Sequence, residues 1–417
     1  MDRLTEPSKS VVVIGAGIVG ATCALTLQLR GHRVTLVDRG QPGMGCSFGN
    51  GGAISPDFCV PMSMPGMLRR IPRWLSDPLG PLSLDWRHVP RALPWLLRWV
   101  AAGTPARVAR ISAAMRDLHA PSLELYRQLL GDRYDTLIEK SGQLYVWRNR
   151  ASTPSEEIAR RLRESHGIAV RTLGADDIRA LDADLAPGFV RGLFFPENAH
   201  TVDPLGLVAS MVELFVAAGG TLLRSDVQSF RVRSGRAVCA VAADRTLDAD
   251  AFVLAAGLAS GRLAAGLGDR IPMQAERGYH VMLPDPGIRP KIKVGNRDQM
   301  FGMTPMRHGV RISGTVEITR PDAPADMRRA AVLLKNAQAM YPGLNGDGAS
   351  FWMGERPSTP DSLPVIDGAR RAGNVFYAFG HGHSGLTGAP LTARIVAAMV
   401  AGQAAAIDVT PFACARF

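Results

Sequence analysis

The sequence has no apolar stretch long enough to cross a membrane, since no run reaches the roughly 18 apolar residues that a transmembrane helix needs. No apolar segment of the signal-peptide kind precedes the first predicted strand. Both absences indicate a cytoplasmic protein. The chain has only 5 cysteines in 417 residues, and no two of them form a C-x-x-C pair. This scatter argues against a disulfide framework, a zinc site and a dithiol redox centre, so no metal site is predicted.

Acidic residues are outnumbered, because 37 Asp and Glu stand against 48 Lys and Arg, which gives a formal net charge of +11. A basic balance of this kind is one mark of nucleic-acid-binding proteins. Here the arginines are mostly dispersed along the chain, so we predict no nucleic-acid partner. The exception is residues 61–110, where eight arginines and four tryptophans accompany only two acidic residues.

Three glycines follow the first predicted strand at G-x-G-x-x-G spacing. Gly15, Gly17 and Gly20 come directly after the apolar run Val11–Ile14, and helical periodicity extends from Ile18 to Arg30. The first glycine permits a tight turn, the second lets a pyrophosphate approach the backbone, and the third lets the helix pack closely on the strand. The N-terminal N–H groups of such a helix bind phosphate, so this unit predicts a dinucleotide site.

A second strand, predicted at residues 34–37, ends in an acidic residue. Asp38 lies eighteen positions after Gly20, about where a carboxylate meets the ribose hydroxyl of a dinucleotide. Strand, helix, second strand and acid therefore all favour the same kind of site.

Two further glycine-rich segments are candidates for contact with the bound dinucleotide. The loop from Cys46 to Ser55 is small and polar, and it is either a ligand-facing loop or an ordinary surface loop. The segment Gly380–Gly385 repeats the glycine spacing between a strand, predicted at residues 374–379, and a helix predicted from about Leu391. No second β-α-β unit follows it, so we interpret it as a helix N-terminus that faces the same ligand.

The remaining segments predict a mixed organisation. Residues 58–110 are rich in Met, Pro and Trp and predict short helices and turns, while 111–200 and 271–340 predict mixed helices and strands. One helix is predicted from Ser112 to Leu130, and another is predicted to begin after Asp203 as its N-cap, with Pro204 in the first turn. The apolar run at 251–257 returns the chain to the first domain, and 351–361 is predicted as an irregular polar loop.

Several of these segments together resemble the D-amino acid oxidase superfamily of FAD-dependent oxidoreductases, and most of all its D-amino acid dehydrogenase and hydroxy-D-proline dehydrogenase branch. The resemblance covers nearly the whole chain. It is carried by the segments at 12–20, 47–52, 253–257, 276–280, 354–361 and 380–385. It implies noncovalent FAD, since no cysteine lies in the loop around Arg356, where sarcosine-oxidase relatives attach flavin.

The resemblance implies an α/β plus α+β fold, in which a Rossmann-type FAD-binding domain is interleaved with an antiparallel-sheet substrate domain. Residues 1–57, 200–270 and 345–417 would form the first domain, and 58–199 and 271–344 the second. The residues that it implies for FAD binding are Gly15, Gly17, Ile18, Val19, Gly20, Asp38, Arg39, Ser47, Asn50, Gly51, Gly52, Val227, Ala256, Gly257, His381, Gly382, His383, Ser384, Gly385, Leu386 and Thr387.

Three residues are predicted around the substrate. Arg356 matches the arginine that binds the substrate carboxylate in such relatives, and its alternative is a salt bridge to Glu355 or Asp361. Tyr279 matches an aromatic residue that shapes the pocket, and its alternative is a core residue of a strand. His383 would lie near the flavin and influence substrate choice, or it caps the helix.

The implied reaction is oxidation of a D-amino or D-imino acid, such as D-proline, 4-hydroxy-D-proline or D-alanine, to the imine. A quinone or another acceptor would then take the electrons. The alternatives are an oxygen-using oxidase of N-methyl or cyclic amino acids and an electron-transfer subunit without its own substrate. Residues 58–110 form either a lid or a peripheral contact with the inner face of the cell membrane through 61–110. Otherwise their tryptophans pack on the substrate domain and their arginines are solvated.

Overall fold

The structure is a computed structural model that describes residues 8–69 and 71–417, without the side chains of Arg69 and Arg73. Arg70, one of the arginines counted in the basic segment, lies outside the described residues. The strands are β1 (Ser10–Ile14), β2 (Arg33–Asp38), β3 (Ala53–Ile54), β4 (Leu82–Leu84), β5 (Ile138–Glu139), β6 (Gln143–Trp147), β7 (Arg171–Leu173), β8 (Arg191–Phe195), β9 (Ala199–Thr201), β10 (Thr221–Arg224), β11 (Val227–Arg233), β12 (Arg236–Ala242), β13 (Thr246–Asp248), β14 (Ala251–Leu254), β15 (Gln274–Leu283), β16 (Lys293–Asn296), β17 (Phe301–Met306), β18 (Gly309–Ile318), β19 (Ser350–Ser358), β20 (Val365–Ala369) and β21 (Ala372–Phe379). The α-helices are α1 (Ile18–Leu29), α2 (Ile71–Leu75), α3 (Val89–Ala102), α4 (Pro105–His119), α5 (Ser122–Leu130), α6 (Tyr134–Leu137), α7 (Pro154–Ser165), α8 (Ala175–Leu181), α9 (Pro204–Ala217), α10 (Ala259–Gly266), α11 (Arg328–Met340) and α12 (Gly385–Ala401).

A six-stranded sheet in the order β10-β2-β1-β14-β21-β20 contains the first predicted strand near its centre. All neighbouring pairs are parallel except β20 and β21. Val11 and Val13 face one core with α1, α9 and α12, whereas Val12 and Ile14 face the other core with strands β11 and β12 and with α10. Burial on both faces explains why β1 is a continuous apolar run.

The second large sheet is mostly antiparallel and has the order β19-β15-β18-β17-β16-β6-β8-β7, with β4 paired to β18. Helix α11 packs on it, and their shared core includes Val281, Ile312 and Leu333. Two smaller sheets complete the described part of the chain, one formed by β11-β12-β13 and the other by β3-β9-β5. The arrangement is a doubly wound sheet interleaved with a second, largely antiparallel one.

The prediction of an irregular polar loop at 351–361 is wrong, because most of this segment forms strand β19, which pairs with β15 in the second sheet. The glycine, prolines and charged residues of the segment are typical of a loop. However, β19 is the edge strand, where Pro357 is tolerated because a proline lacks only an outward-facing N–H. The division into two domains stays a prediction, and the pairing of β19 favours a boundary after Ser358 over one at residue 345.

The last helix was predicted from about Leu391, but α12 begins at Gly385. Pro390 lies inside this helix, and a proline leaves the carbonyl four residues earlier without its helical donor. In the structure the Tyr126 hydroxyl donates to that carbonyl, Leu386 O, at 2.6 Å. A tertiary contact therefore permits the earlier start.

Two other predictions concern helix interruptions. The continuous helix predicted from Ser112 to Leu130 is wrong, because it breaks into α4 and α5 at Ala120 and Pro121. Residues 58–110 contain the predicted short helices and turns, together with β4 and the 14-residue helix α3. Among the described residues, no helix combines the length and apolarity needed to span a bilayer, and no group of His, Cys, Asp and Glu could hold a metal.

Candidate functional site

The carboxyl edge of the six-stranded sheet brings together segments that lie far apart in the sequence. Strands β1, β2, β14 and β21 are parallel, so the residues that follow each of them lie at one edge. These are the glycine turn after Ile14, Asp38, the pair Ala256 and Gly257, and the segment 380–384 before α12. Such an edge is where open α/β sheets bind their ligands.

The backbone of the glycine turn is so closely packed that side chains would not fit at its glycines. The absence of these side chains leaves room for a phosphate. Gly15 has φ +104°, and a Cβ on Gly20 would lie 1.7 Å from Gly15 O. A Cβ on Gly17 would lie 3.3 Å from Ser47 Oγ, the atom that accepts a hydrogen bond from Ile18 N at 2.9 Å. The turn, the start of α1 with Ile18 and Val19, and Ser47 therefore form one cradle that fits a pyrophosphate.

Asp38 lies beside this cradle. One carboxylate oxygen accepts from Ala16 N at 2.7 Å and the other from Gly40 N at 2.8 Å. The adjoining Arg39 is exposed, and Val227, buried at the start of β11, belongs to the same buried cluster as Val37 at the end of β2. The geometry is compatible with the predicted ribose contact, which stays a prediction.

The loop at 48–52 is held by side chains of the second sheet. Lys293 Nζ and Thr304 Oγ1 donate to Gly51 O at 2.9 and 2.7 Å, and Arg311 donates to the carbonyls of Phe48 and Asn50 at 2.8 Å. Asn50 itself accepts from Gly52 N. The loop is therefore fixed against the second sheet, and its predicted ligand-facing position lies between the two sheets.

An aromatic stack supports the same loop. The rings of His280 and Trp352 are stacked at 5.0 Å, and Phe48 packs against both. His280 Nδ1 lies 3.2 Å from Gly49 O. Burial lowers the pKa of His280 to about 4, so this ring is neutral at physiological pH and acts as a structural support.

The segment before α12 divides into cavity-facing and core-facing residues. Its residues that line the large cavity between the two sheets are Gly382, His383, Ser384 and Thr387, whereas Leu386 is buried in the core. His381 is also buried, lies 3.0 Å from Thr392 Oγ1 and has its pKa lowered by burial to about 3. The His381 side chain therefore points away from the cavity, and Gly385 begins the helix.

A cavity of about 580 Å³ lies between the two large sheets. Its wall contains the loop around Gly51, the N-terminus of α12, strands of the second sheet and the inner side of residues 58–110. Such a volume falls in the range of roughly 300–1,000 Å³ that is typical of ligand pockets. The cavity thus brings Arg356 and Tyr279 together with the predicted cofactor residues of the loop and of the start of α12, whereas the glycine turn and Asp38 do not line it.

Arg356 lies on the cavity wall without an ion pair among the described residues. Its Nη1 donates to Thr315 O at 3.2 Å, and no carboxylate lies within salt-bridge distance. The two carboxylates considered as alternative partners are engaged elsewhere, since Glu355 pairs with Arg277 at 3.2 Å and Asp361 with Arg416 at 2.8 Å. The salt-bridge alternative is therefore wrong, and the guanidinium is free to bind an anion.

Glu276 lies opposite Arg356 in the β15–β19 register and also lines the cavity. Its Oε2 accepts from His383 Nε2 at 2.9 Å and from Ser358 Oγ at 2.8 Å, whereas Oε1 receives no hydrogen bond from the described residues. Burial acts to raise the pKa of this carboxyl, but His383, Ser358 and Arg356 outweigh it and hold the pKa below its ordinary value. His383 therefore contacts a carboxylate, and it does not cap the helix.

Tyr279 belongs mostly to the core of the second sheet. It is almost fully buried, and its hydroxyl donates to Glu317 at 2.6 Å and accepts from Asp326 N at 3.1 Å. Burial and Glu317 raise the pKa of Tyr279 to about 12. The residue also lines the cavity, so it shapes the wall while its hydroxyl is bound to Glu317 and Asp326.

The sequence did not single out several cavity residues. Glu276 lies in the segment 276–280, but the sequence assigns it no role, because only the strand register places it beside Arg356. Lys293 gave no signal at all, although burial lowers the pKa of its ammonium to about 8. Cys46, distant in sequence from Arg356, donates to Glu355 O at 2.6 Å and lines the cavity.

The tryptophans of residues 61–110 divide between the two sides of the segment. Trp74, Trp95 and Trp99 line the cavity, and Trp95 is 6% exposed. Trp86 is 73% exposed. Trp95 and Trp99 therefore pack inward. This packing agrees with the alternative to the membrane hypothesis, in which the tryptophans pack on the substrate domain. Of the four tryptophans, Trp86 is the one with a largely exposed side chain.

Comparisons with known proteins find a matching family model and related sequences. A family model described as FAD dependent oxidoreductase (DAO) matches residues 10–399. The chain is 36% identical over 417 residues to a D-amino-acid oxidase of Bradyrhizobium diazoefficiens, covering 98% of this chain and 99% of the relative. It is 30% identical over 410 residues to a D-amino acid dehydrogenase of Chromohalobacter salexigens, covering 95% and 97%.

Solved structures show the same fold. An L-proline dehydrogenase from P. horikoshii superposes with a TM-score of 0.74 at 18% identity, covering 99% of this chain and 98% of that one. An iminodiacetate oxidase from Chelativorans sp. BNC1 gives 0.69 at 24% identity, covering 97% and 98%. At these identities the likeness concerns the fold alone.

Proposed function

The chain belongs to the family of FAD-dependent oxidoreductases, and on that premise we propose that it oxidises a D-amino or D-imino acid to the imine. Bound FAD would accept the hydride from the substrate Cα. The glycine cradle, Asp38 and the loop at 47–52 would hold the cofactor noncovalently, with the N-terminus of α12 beside it. The relatives named D-amino-acid oxidase and D-amino acid dehydrogenase support this class of substrate.

The observation that carries the proposal is the unpaired guanidinium of Arg356 in the shared cavity. A guanidinium fork binds a carboxylate through two parallel charge-assisted hydrogen bonds. Its contact with Thr315 O fixes its direction. Arg356 would thus hold the substrate carboxylate and orient Cα–H for transfer.

Glu276 would act on the substrate nitrogen. Loss of hydride from a neutral amine leaves an iminium cation, so positive charge develops on nitrogen during the reaction. A fixed carboxylate with one free oxygen stabilises such charge in a water-poor cavity. His383 and Ser358 would keep Glu276 in place, and His383 would influence substrate choice from there.

We propose a dehydrogenase that passes its electrons to a quinone or another acceptor, as the relatives of that name suggest. Use of oxygen is the second candidate, favoured by the 36% identical D-amino-acid oxidase.

The test is anaerobic bleaching of the yellow holoprotein by a panel of D- and L-amino and imino acids, followed by exposure to air. Fast recolouring indicates an oxidase and slow recolouring a dehydrogenase. Bleaching by L-isomers alone would refute the proposal.

The outer face of residues 61–110 would contact anionic lipid. Leu93 and Leu97, one turn apart on α3, are 46% and 61% exposed, and Trp86, which precedes the helix, is 73% exposed. Arg91 and Arg98 are exposed on the same helix. Apolar side chains flanked by cations suit a membrane surface with anionic headgroups, and that contact would bring the enzyme to a quinone pool.

Co-sedimentation with anionic liposomes tests this contact. Pelleting should weaken with salt and should fall when Leu93 and Leu97 are changed to Ser. The matched control is Val216→Ser, which alters an apolar side chain that is 47% exposed on α9. If the wild type does not pellet with liposomes at low salt, or if the control variant loses as much pelleting as the leucine variant, the membrane contact is refuted.

A further inference from the structure

One part of the cavity wall is apolar throughout. Every described side chain that residues 58–110 contribute to the lining is apolar, among them Met67, Trp74, Leu84, Leu96 and Trp99. We call this part of the cavity the apolar chamber. Apolar walls of this kind favour an apolar ligand group, because its transfer from water is favourable in proportion to the area buried.

The chamber is attached to the strands that carry the proposed substrate anchor. Arg356 donates to Thr315 O, and the next residues of β18, Val316 and Ile318, pair with Leu82 and Leu84 of β4. All four of these apolar residues line the cavity. A substrate whose carboxylate lies on Arg356 would therefore have the chamber wall within reach of its side chain.

Helix α3 closes the other side of the same chamber. Trp95 Nε1 donates to Ser358 O at 3.2 Å, and Ser358 Oγ donates to Glu276. Trp95 and Ile318 belong to one buried cluster, against which Leu84, Leu96 and Trp99 pack. The chamber is thus built on the hydrogen-bond network around the amine end of the substrate.

The charged groups of the cavity do not belong to the chamber wall. Glu276 is the only carboxylate among the described residues that line the cavity, and it adjoins the chamber at the end next to the anchor, beside Trp95 and Trp99. Lys293 and Arg297 line the side formed by β16 and the residue after it. A charged substrate side chain in the chamber would lose its hydration without gaining a partner, which is strongly unfavourable.

We infer that the preferred substrates are D-amino acids with bulky apolar side chains, aromatic or branched aliphatic, and that small and charged ones are poor. This inference rests on the proposed function and narrows it. Each additional buried methylene improves transfer into an apolar site by about fourfold. The kcat/KM of D-leucine or D-phenylalanine should then exceed that of D-alanine by at least about 50-fold.

The experiment is anaerobic stopped-flow reduction of the holoenzyme by D-alanine, 4-hydroxy-D-proline, D-leucine, D-phenylalanine, D-aspartate and D-lysine. D-leucine and D-phenylalanine should give the highest kcat/KM. If D-alanine or 4-hydroxy-D-proline falls within tenfold of them or exceeds them, the inference is overturned and the proposed function stands. If none of the six reduces the flavin, the proposed function itself fails.

A buried and an exposed apolar residue provide a pair of variants. Leu96 lines the chamber, whereas Val216 is 47% exposed on α9 and does not line the cavity. Leu96→Trp should lower kcat/KM for D-phenylalanine at least tenfold more than for D-alanine, and Val216→Trp should change neither. Equal losses for both substrates, or no loss, would overturn the inference. Slower reoxidation by a quinone with unchanged reduction by D-phenylalanine would assign the chamber to the acceptor and also overturn it.

Discussion

Truncation of Arg356 gives the sharpest test of the proposed chemistry. The guanidinium has one hydrogen bond, to Thr315 O, and no ion pair among the described residues, so Arg356→Ala breaks little of the fold. What it removes is a bidentate contact with the substrate carboxylate. Two hydrogen bonds to a charged group contribute together roughly 3 kcal/mol or more, and kcat/KM should fall by about 100-fold or more.

The assay compares a D-amino acid with its decarboxylated amine in steady-state and stopped-flow kinetics. The wild type should discriminate strongly between the two, and Arg356→Ala should lose most of that discrimination while retaining its FAD. Arg356→Lys should recover little, because an ammonium is a point charge. Arg320→Ala, which removes a partner of Asp85 at 3.3 Å, is the control and should leave both rates near normal.

The reasoning is refuted if Arg356→Ala loses activity equally on the D-amino acid and on the amine. Equal losses would mean that the arginine supports the cavity wall and does not bind the carboxylate. Near-normal kcat/KM for the D-amino acid would move the carboxylate site to another cation, and among the described residues Lys293 and Arg297 are the other lysine and arginine that line the cavity.

The cofactor cradle, the nitrogen site, the buried lysine and the attachment of FAD each give a further prediction. Gly17→Val should yield folded protein with little FAD, because its side chain would crowd Ser47 Oγ, whereas Gly368→Ala, with no neighbouring atom within 4 Å of the new Cβ, should stay yellow; equal colour in the two variants would contradict this. Glu276→Gln should lower kcat at least about tenfold with little change in KM, since a neutral amide stabilises developing positive charge poorly, and an unchanged rate of flavin reduction would exclude that role. Burial lowers the pKa of Lys293 from 10.5 to about 8, so the cost of burying its charge is present in full below pH 8 and disappears as the pH rises towards 10.5. In urea titrations the unfolding free energy of the wild type should therefore rise by about 2 kcal/mol relative to Lys293→Met between pH 7 and pH 10, and a constant difference would refute the shift. Acid precipitation should release all FAD to the supernatant; flavin in the pellet that disappears in Cys46→Ser would instead indicate a covalent bond.

Local patterns determined the first half of the site. The spacing of Gly15, Gly17 and Gly20 between an apolar strand and a helix, with Asp38 after the next strand, suffices to predict the β-α-β unit that the structure contains. The reason is that these glycines are required by contacts within one short segment, such as the approach of Gly20 to Gly15 O. The helix N-cap Asp203, which accepts from Gly206 N, is equally local and was predicted from its own few residues.

Tertiary structure decided the substrate side of the site, because that side is formed by pairings between segments that are distant in the sequence. Nothing near Glu276 in the sequence indicates that β15 pairs with β19 in the register that sets it opposite Arg356. The segment 351–361 looked like a loop until its edge position made Pro357 acceptable in a strand, and α12 begins early because Tyr126 supplies the missing donor. Residues 58–110 could have turned their tryptophans towards lipid or protein. Only their packing against β18 put Trp95 and Trp99 inside, because which face of an amphipathic helix is buried depends on the partner that covers it.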